Sequence, residues 1–305
     1  MEKQHHHMTA ASITNEIKPV GSSLGSASAY DSNSMIPLAY DLVNTPEGIS
    51  TLVDYLSGLP NDAVPSHYVD LEGDNLSRHG IISILQLYVA PKQHTYLLDI
   101  HALGDKAFLT PGERSGKTIK GFLEDPNVKK VFFDVRNDSD ALFHHFGIDL
   151  DGIQDLQLME FASRYNKAGF LSGLAKCIER NAPLTPEEIF AWRAVKVLGH
   201  NLFNPQSGGS YAVFNQRPLS PDILRYCIQD VQYLPRLWAV YYQKLGKDWK
   251  HAVEKETKNR ILKSHASDYN GQGRHMTEPP ADWVVRNPEI TAIIHTEPTT
   301  ITRYT

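Results

Sequence analysis

The amino-acid sequence predicts an α/β domain with a mixed central sheet flanked by helices. Of its 305 residues, 41% are hydrophobic and 21% are charged, which is typical of a globular chain with a substantial core. Three consecutive strand-like segments come first, and helix-like and strand-like segments alternate after them. At about 150 residues per domain, the length allows two domains or one large domain with tails, and this order of segments favours one.

The first predicted elements are a helix and three strands. Thr45-Pro46-Glu47 is typical of a helix start, and apolar residues follow it at helical spacing. Apolar residues then recur in three strand-like segments, 64–72, 80–89 and 95–100. Because these segments follow one another directly, we expect an antiparallel meander.

The remaining elements alternate between helix and strand. Gly147 is a helix stop, and Ser220-Pro221 is a helix start. Two further strands are predicted at 131–135 and 156–159. Helices are predicted at about 117–123, 137–146, 169–180, 186–198 and 221–245.

Composition separates both ends of the chain from this domain. Residues 1–36 are rich in Ser, Ala, Thr and Asn without periodicity, so we predict a disordered leader. Residues 37–264 form the predicted folded domain. Residues 265–305 are rich in Pro, Thr and polar side chains, and we predict a loosely ordered C-terminal tail.

Charge and apolar content exclude several classes of protein. Thirty Lys and Arg against thirty-five Asp and Glu give a net charge of −5, so the chain does not coat nucleic acid by bulk charge. No segment approaches the roughly 20 apolar residues of a membrane span, so we expect no membrane partner. The two cysteines, Cys177 and Cys227, are too few for a disulfide framework. We expect an intracellular protein, cytoplasmic or nuclear.

The first chemical signal is the segment His67-Tyr68-Val69-Asp70-Leu71-Glu72-Gly73. Residues two apart in a strand point to the same face, so Asp70 and Glu72 project together while Val69 and Leu71 face the core. Paired carboxylates need a cation or solvent to remain ionised. The alternative is an exposed strand end with ordinary surface acids.

The second signal is the helix that begins at Ser220. Tyr226, Asp230 and Tyr233 are spaced i, i+4, i+7, so a carboxylate and a phenol share a face that is not the main apolar face. The alternative is a solvated aspartate on a helix surface.

The third signal is an acidic group where the apolar strand 131–135 meets the next helix. Asp138 and Asp140 lie in the first turn of that helix. Both acids also suit a purely structural role, because carboxylates cap helices and favour the positive end of the helix dipole.

In this order, the three signals resemble the 3′-5′ exonuclease family that carries four acidic residues and a tyrosine. Ribonuclease D and the Werner-type exonuclease domain belong to that family. The resemblance covers about 37–245, and Arg217-Pro218-Leu219 and the segment 230–234 are similar to the ribonuclease D subgroup. It implies a ribonuclease-H-like fold with a single catalytic domain.

The resemblance also assigns residues. It implies metal binding by four acids and a catalytic role for these acids and a tyrosine: Asp70, Glu72, Asp138, Asp230 and Tyr226. Asp138 is the middle acid because its distance to Phe146-Gly147 matches the family spacing, with Asp140 as the alternative. Some relatives of the Egalitarian type lack this acid and are binding proteins.

The cofactors that the resemblance implies are two divalent cations, Mg²⁺ or Mn²⁺. Phosphodiester hydrolysis needs an activated water and stabilised charge on two oxygens, and carboxylates are the ligands these ions prefer. In the family, Asp70 bridges both ions, Glu72 and Asp230 hold the ion that activates water, and Asp138 supports the second ion through water. Tyr226 orients the attacking water, and Gly73 leaves room for the nucleotide backbone.

We therefore expect a 3′-5′ exonuclease that releases nucleoside 5′-monophosphates from the 3′ end of RNA, with single-stranded DNA as the open alternative. A catalytically inactive nucleic-acid-binding or scaffold protein that keeps the fold is the competing hypothesis. We expect no appended helical RNA-binding module after the domain. We therefore expect a protein partner that delivers substrate, or a short basic surface formed by Lys117, Lys120, Lys129, Lys130 and Arg136.

Overall fold

A six-stranded mixed sheet forms the centre of the computed structural model, which describes residues 39–284. The strands are β1 (Tyr40–Val43), β2 (His67–Glu72), β3 (Ile84–Val89), β4 (His94–Asp99), β5 (Lys130–Phe132) and β6 (Ile153–Asp155). Their order in the sheet is β1-β4-β3-β2-β5-β6. Strands β2, β3 and β4 form the predicted antiparallel meander, whereas β1 pairs parallel with β4, and β5 and β6 continue parallel to β2. The predicted mixed sheet is confirmed.

Helices cover both faces of this sheet. They are α1 (Pro46–Ser57), α2 (Ile100–Leu103), α3 (Lys106–Leu109), α4 (Ile119–Glu124), α5 (Arg136–Phe146), α6 (Leu156–Ser163), α7 (Leu174–Asn181), α8 (Pro186–Phe203), α9 (Pro221–Gln232), α10 (Leu234–Lys244) and α11 (Lys247–Ser264). Hydroxyl caps begin four of them, with the hydroxyls of Thr45, Thr118, Thr185 and Ser220 accepting from backbone N–H groups. Gly147 ends α5 in the left-handed conformation, as predicted.

Two predicted elements differ from the structure. Residues 156–159 belong to helix α6 and not to a strand, because the Asp155 carboxylate accepts from the backbone N–H groups of Gln157 and Leu158 and so begins a helix. The single helix predicted over 221–245 is two helices that meet at Tyr233. Pro235 cannot donate to the preceding turn, so it lies at the start of α10.

The two faces of β2 have different neighbours. Val69 and Leu71 are buried in the core that contains residues of α1, α4 and α5, as the strand alternation predicts. Tyr68, on the opposite face, belongs to the core with α6 and α10. Because Asp70 and Glu72 share the face of Tyr68, they lie on the side of the sheet that α9 covers. This alternation places the two carboxylates between the sheet and α9.

A buried set of charges attaches α11 to the sheet. We call it the ion-pair network, and it consists of Asp134, Arg136, Asp155 and Arg260. Arg260 donates to Asp155 at 2.7 Å and lies 3.4 Å from Asp134, while Arg136 donates to both oxygens of Asp134 at 2.5 and 2.6 Å. Asp134 has φ +61°, a left-handed conformation at the end of β5. The network fixes the junction from which α5 begins.

The described residues end with a segment that packs on the domain. Trp283 is buried against Trp249, and the carbonyl of Thr277 accepts from the backbone N–H of Leu171. The predicted leader, 1–36, and residues 285–305 of the predicted tail lie outside the described residues, so the division at 37 and 264 stays a prediction. Within residues 39–284, no helix has the length and apolar character needed to cross a membrane.

Candidate active site

Three carboxylates from two elements meet between β2 and α9. Asp70 and Glu72 come from the end of β2, and Asp230 comes from α9. One carboxylate oxygen from each residue lies within 4.8 Å of the other two. Asp230 is buried, and the other two are partly buried. The side chains predicted from the strand and from the late helix are therefore brought together.

The two candidates for the middle acid have different surroundings. Asp138 is buried in the first turn of α5, and burial together with the charge of Asp70 raises its pKa well above the ordinary value. The Asp140 carboxylate instead accepts from the backbone N–H of Arg78 at 2.8 Å and from its Nε at 2.7 Å. Arg78 also donates to the carbonyls of Ser264 and Ala266 at the end of α11. Asp138 thus acts electrostatically on the cluster, whereas Asp140 is paired elsewhere.

The acidic cluster, by which we mean Asp70, Glu72, Asp138 and Asp230, concentrates negative charge in a region of low solvent access. Burial and the neighbouring charge of Asp230 raise the pKa of Asp70 from 3.8 to about 7. Burial and the charge of Asp70 raise the pKa of Glu72 well above its ordinary value. Without cations, the cluster therefore retains protons that isolated carboxylates lose near pH 4.

A lysine that the sequence reasoning missed lies against Asp230. Lys196, on α8, donates from Nζ to the two Asp230 oxygens at 2.7 and 2.9 Å and to the Tyr226 hydroxyl at 2.9 Å. Its Nζ also lies 4.2 Å from the centre of the Tyr226 ring. Burial opposes the charged form, but the Asp230 carboxylate outweighs it and raises the pKa of Lys196. In the sequence, the one sign that Lys196 points into the protein is that it lies on the same face of α8 as Trp192 and Phe203.

Close contact between α8 and α9 fixes this arrangement. A Cβ at Gly199 would lie 2.3 Å from Cδ2 of Tyr226, so only glycine permits this approach. The Phe203 ring packs edge-on against Tyr226 with centroids 5.2 Å apart, and Gln229 donates to the carbonyl of Trp192. Tyr226 is consequently buried, and burial together with the Asp230 charge raises the pKa of its hydroxyl well above the ordinary value.

The Arg217-Pro218-Leu219 segment anchors the start of α9. Arg217 donates to both carboxylate oxygens of Asp99 at 2.5 Å and to the carbonyl of Phe214 at 2.8 Å. Leu219 is buried, and Ser220 caps α9. The segment therefore holds the helix that carries Tyr226 and Asp230 against the end of β4.

Gly73, which follows Glu72, lies where the fold leaves no room for a side chain, and its expected role beside the nucleotide backbone stays a prediction. A Cβ at this position would lie 1.9 Å from the carbonyl oxygen of Ile81. The chain itself therefore requires glycine here, because the backbone after β2 passes against the backbone that leads into β3.

The prediction of a basic surface is wrong for two of its five residues, Lys130 and Arg136. Lys130 is fully buried, donates to the carbonyls of Phe122 and Asp125, and has its pKa lowered to about 8 by burial. Arg136 is buried in the ion-pair network, and Lys129 donates to the carbonyls of Asp62 and Ala63. Lys120 pairs with Glu124. Lys130 and Arg136 therefore hold the fold together and are not part of a surface for nucleic acid, whereas Lys117 is exposed and Lys120 and Lys129 are partly exposed.

The donors of the cluster fit divalent cations. The group of Asp70, Glu72 and Asp230 offers only carboxylate oxygens, without histidine or cysteine, which suits Mg²⁺ or Mn²⁺ better than Zn²⁺. Burial and neighbouring carboxylates raise the pKa values of Asp70 and Glu72, so the single positive charge of Lys196 does not balance the cluster. Bound cations would supply that charge.

Among curated proteins, the chain is similar to piRNA biogenesis protein EXD1. The mouse protein (Mus musculus) is 30% identical over 185 residues, which is 59% of this chain and 30% of the mouse protein. The human protein (Homo sapiens) is 30% identical over 172 residues, which is 54% of this chain and 30% of that protein. The chain therefore spans less than a third of the length of these two relatives.

Among solved structures, the fold is similar to that of RNase D. Trypanosoma brucei RNase D in complex with RNA U12 is 24% identical with a TM-score of 0.61, and the match covers 80% of this chain and 77% of that one. Escherichia coli RNase D, an exoribonuclease involved in structured RNA processing, is 18% identical with a TM-score of 0.53, over 75% of this chain and 51% of that one. These likenesses confirm the predicted ribonuclease-H-like α/β fold.

The family model for 3′-5′ exonucleases matches residues 42–248. That span is more than half of the chain and contains both elements that carry the clustered acids, together with α5 and α8. Proteins of this family typically depend on divalent metal ions. The chain belongs to the 3′-5′ exonuclease family.

Proposed function

We propose that this protein is a metal-dependent 3′-5′ exonuclease that hydrolyses RNA from its 3′ end and releases nucleoside 5′-monophosphates. The observation that carries the proposal is the convergence of Asp70, Glu72 and Asp230 within 4.8 Å, with buried Asp138 acting on Asp70. Crowded carboxylates oppose their own ionisation, so a fold that keeps them together needs a compensating function. Binding of cations at a phosphodiester supplies one.

The chain's own residues would divide the work as follows. Asp70, Glu72, Asp138 and Asp230 would hold two divalent cations, Mg²⁺ or Mn²⁺, through carboxylate oxygens. When bound, such ions activate a water and stabilise charge on the attacking and leaving oxygens of the phosphodiester. Tyr226, whose hydroxyl lies beside Asp230 in a tightly packed contact of α8 and α9, would orient the attacking water. The side chains are held before substrate binds, which limits the entropy lost during reaction.

RNA is the proposed substrate because the structural relatives with the highest TM-scores reported above are RNase D proteins, one of them bound to RNA U12. Single-stranded DNA is the alternative, and the ribose 2′-hydroxyl is the group that would separate the two. We also propose that a protein partner delivers substrate, because two of the five cations of the expected basic surface, Lys130 and Arg136, are buried in the fold. The cytoplasmic or nuclear location expected from the sequence stays a prediction.

The test is hydrolysis of a 5′-labelled RNA and of a DNA of the same sequence, each with Mg²⁺, Mn²⁺ or EDTA. We expect a ladder of products that shortens from the 3′ end of the RNA and disappears with EDTA. Asp230→Asn protein, purified in parallel, controls for contaminating nuclease. Thin-layer separation of the released products should show nucleoside 5′-monophosphates.

The outcomes separate the hypotheses. A ladder on RNA alone supports the proposal as stated, and equal ladders on RNA and DNA would reject RNA selectivity. The protein could instead bind the labelled RNA in a mobility-shift assay and shorten neither substrate. That result would reject the enzyme hypothesis in favour of an inactive nucleic-acid-binding protein.

A further inference from the structure

One cation is built into the acidic cluster by the fold itself. The Lys196 ammonium contacts both oxygens of the Asp230 carboxylate and the Tyr226 hydroxyl, at 2.7 to 2.9 Å. Asp230 is also one of the three residues whose oxygens converge as candidate metal ligands. The same carboxylate therefore faces an ammonium that is already present and a divalent cation that the cluster is suited to bind.

The packing of α8 on α9 places the Lys196 side chain next to Asp230. Its side chain is 22% exposed, and that of Asp230 is 3% exposed. The backbone of α8 is held one turn further on by Gly199, which lies directly against the Tyr226 ring. Without metal, the ammonium consequently lies within hydrogen-bond distance of Asp230. The flexible four-carbon stem of lysine allows it to move away from this carboxylate.

A charge count shows the consequence of this placement. The four ionised carboxylates of the acidic cluster carry four negative charges, which two divalent cations balance fully. With the Lys196 ammonium in place, the same two cations leave the site with one positive charge in excess. A phosphodiester carries one negative charge, so the bound substrate restores neutrality. The positive charge of Lys196 therefore weakens metal binding, and the negative charge of the phosphate strengthens it.

We propose that Lys196 couples metal binding to phosphate binding: its ammonium competes with divalent cations for Asp230, and a nucleic-acid phosphate relieves the competition by accepting the ammonium. This inference rests on the proposed function, because it concerns the same site. It makes the substrate-free enzyme a weak metal binder and the substrate-bound enzyme a strong one. By linkage, the metal raises phosphate affinity by the same factor.

The experiment measures Mn²⁺ affinity by electron paramagnetic resonance of free Mn²⁺, without any turnover. Wild-type protein and Lys196→Gln are each titrated alone, with adenosine 5′-monophosphate and with adenosine, and a protein-free titration corrects for Mn²⁺ bound by the nucleotide. We expect Lys196→Gln alone to bind Mn²⁺ at least about tenfold more tightly than wild type. We expect the nucleotide to strengthen Mn²⁺ binding at least about fivefold more in wild type than in Lys196→Gln, and adenosine to change neither.

Control variants separate charge from packing. Lys196→Arg keeps the positive charge and should stay within about threefold of wild type in Mn²⁺ affinity. Lys196→Met keeps the apolar stem over Tyr226 and should behave as Lys196→Gln. Lys250→Gln removes a lysine that lies 3.5 Å from the ring centre of Tyr242, outside the site, and should leave Mn²⁺ affinity unchanged.

A measurement on wild-type protein needs no variant at all. In protein labelled with ¹⁵N-lysine, the Lys196 Nζ resonance should shift when Mg²⁺ is added, because the ammonium leaves Asp230. A resonance that does not move at saturating Mg²⁺ would overturn the proposal even if both neutral variants failed to fold.

The results also separate this inference from the proposed function. Equal Mn²⁺ affinity in wild type and Lys196→Gln, or an equal nucleotide effect in both, overturns the role of Lys196 while leaving exonuclease activity in place. Coupling of Mn²⁺ to the nucleotide through Lys196 in a protein that cleaves neither RNA nor DNA would support the role of Lys196 and reject the exonuclease. Absence of Mn²⁺ binding by both proteins would overturn both.

Discussion

Two buried groups of charges stand side by side in this protein and are built in opposite ways. The ion-pair network of Asp134, Arg136, Asp155 and Arg260 contains two acids and two arginines, joined by contacts of 2.5 to 3.4 Å. The acidic cluster contains four acids, and the lysine at Asp230 is the cation described within it. The network is neutral as folded, whereas the cluster becomes neutral only when it takes up protons or further cations.

The comparison teaches how to separate structural charge from functional charge. Asp155 in the network accepts from Arg260 and also from backbone N–H groups at the start of α6, so its charge is fully used by the fold. In the cluster, burial and neighbouring carboxylates raise the pKa of Asp70 and Glu72, so the fold tolerates their charge without compensating it. Uncompensated charge of this kind marks a functional site.

The largest expected effect is on the cluster. Asp70→Asn or Asp230→Asn should lower the rate of RNA hydrolysis at least about a thousandfold, because an amide supplies no negative charge to a divalent cation. Initial rates on a 5′-labelled RNA measure the loss, and circular dichroism checks that the fold is kept. Asp222→Asn, at a partly exposed aspartate on the same helix α9, is the matched control and should retain activity. Full activity in Asp70→Asn would place the chemistry elsewhere.

A substitution in the ion-pair network should lower the stability of the fold and should not act on the catalytic step itself. Arg260→Met removes the partner of buried Asp155 and should lower the free energy of unfolding by about 3 to 5 kcal/mol. Urea titration followed by tryptophan fluorescence measures this change. Lys258→Met, on the same helix in an exposed pair with Glu254, should change stability by less than about 0.5 kcal/mol. Similar stabilities for both variants would remove the distinction between network and surface charge.

Asp138 and Asp140 are two residues apart on α5 and test the comparison within one helix. Asp138→Asn should reduce turnover about a hundredfold with little change in stability, since its charge acts on Asp70. Asp140→Asn should cost about 1 to 3 kcal/mol of stability, because Arg78 loses a charged partner, and turnover should fall less than about threefold. Parallel urea titrations and initial rates decide the case, and the reversed pattern would identify Asp140 as the middle acid.

The pH dependence of stability should differ between metal-free wild type and Asp70→Asn. In the folded protein the pKa of Asp70 is about 7, against an ordinary value of 3.8, so between these pH values the folded state binds more protons than the unfolded chain. The free energy of unfolding therefore falls as pH rises through this window, and raising the pH above about 7 adds no further loss from this group.

We expect Asp70→Asn to remove about 1 to 2 kcal/mol of this decrease between pH 4.5 and 8. Urea titrations in EDTA at several pH values provide the measurement. Parallel pH profiles for the two proteins would contradict a raised pKa of Asp70 in the folded protein. Added Mg²⁺ should reduce the decrease in wild type, because cations replace the protons.

The smallest effect concerns the hydroxyl at the edge of the cluster. Tyr226→Phe keeps the ring against Gly199 and Phe203 but removes the hydroxyl that lies beside Asp230, and hydrolysis should slow about tenfold. Tyr241→Phe removes a buried hydroxyl that donates to Asn181, remote from the acids, and should leave the rate unchanged. Single-turnover rates compare the two, and an unchanged rate in Tyr226→Phe would contradict the orienting role.

Much of the fold could be predicted because local signals agree with the final packing. Thr45, Thr185 and Ser220 begin helices where their hydroxyls cap them, and Gly147 ends one because its φ is positive. The pairing of Asp70 with Glu72 follows from the two-residue repeat of a strand. Such features depend on neighbours in the sequence, so they are visible in it.

The features that were missed depend on distant parts of the chain. Lys196 is 34 residues from Asp230, and only the packing of α8 on α9 brings the two side chains together. Arg78 and Asp140 are joined across 62 residues, and no local pattern marks that pair. The strand expected at 156–159 is a helix because Asp155 caps it and is itself held by Arg260 from α11. Such long-range pairs decide which acids remain free for chemistry.

The contacts of Arg78 have a consequence for where the working unit ends. The family model stops at residue 248, after every acid of the cluster, yet the carbonyls that Arg78 binds belong to Ser264 and Ala266. Arg78 lies in the segment that follows Glu72, so a chain cut at 248 would keep all the acids and release the segment beside them. It would also lose Arg260 and leave Asp155 unpaired in the interior. The packing beside the acidic cluster therefore depends on residues that lie beyond the end of the family match: Arg260, Ser264 and Ala266.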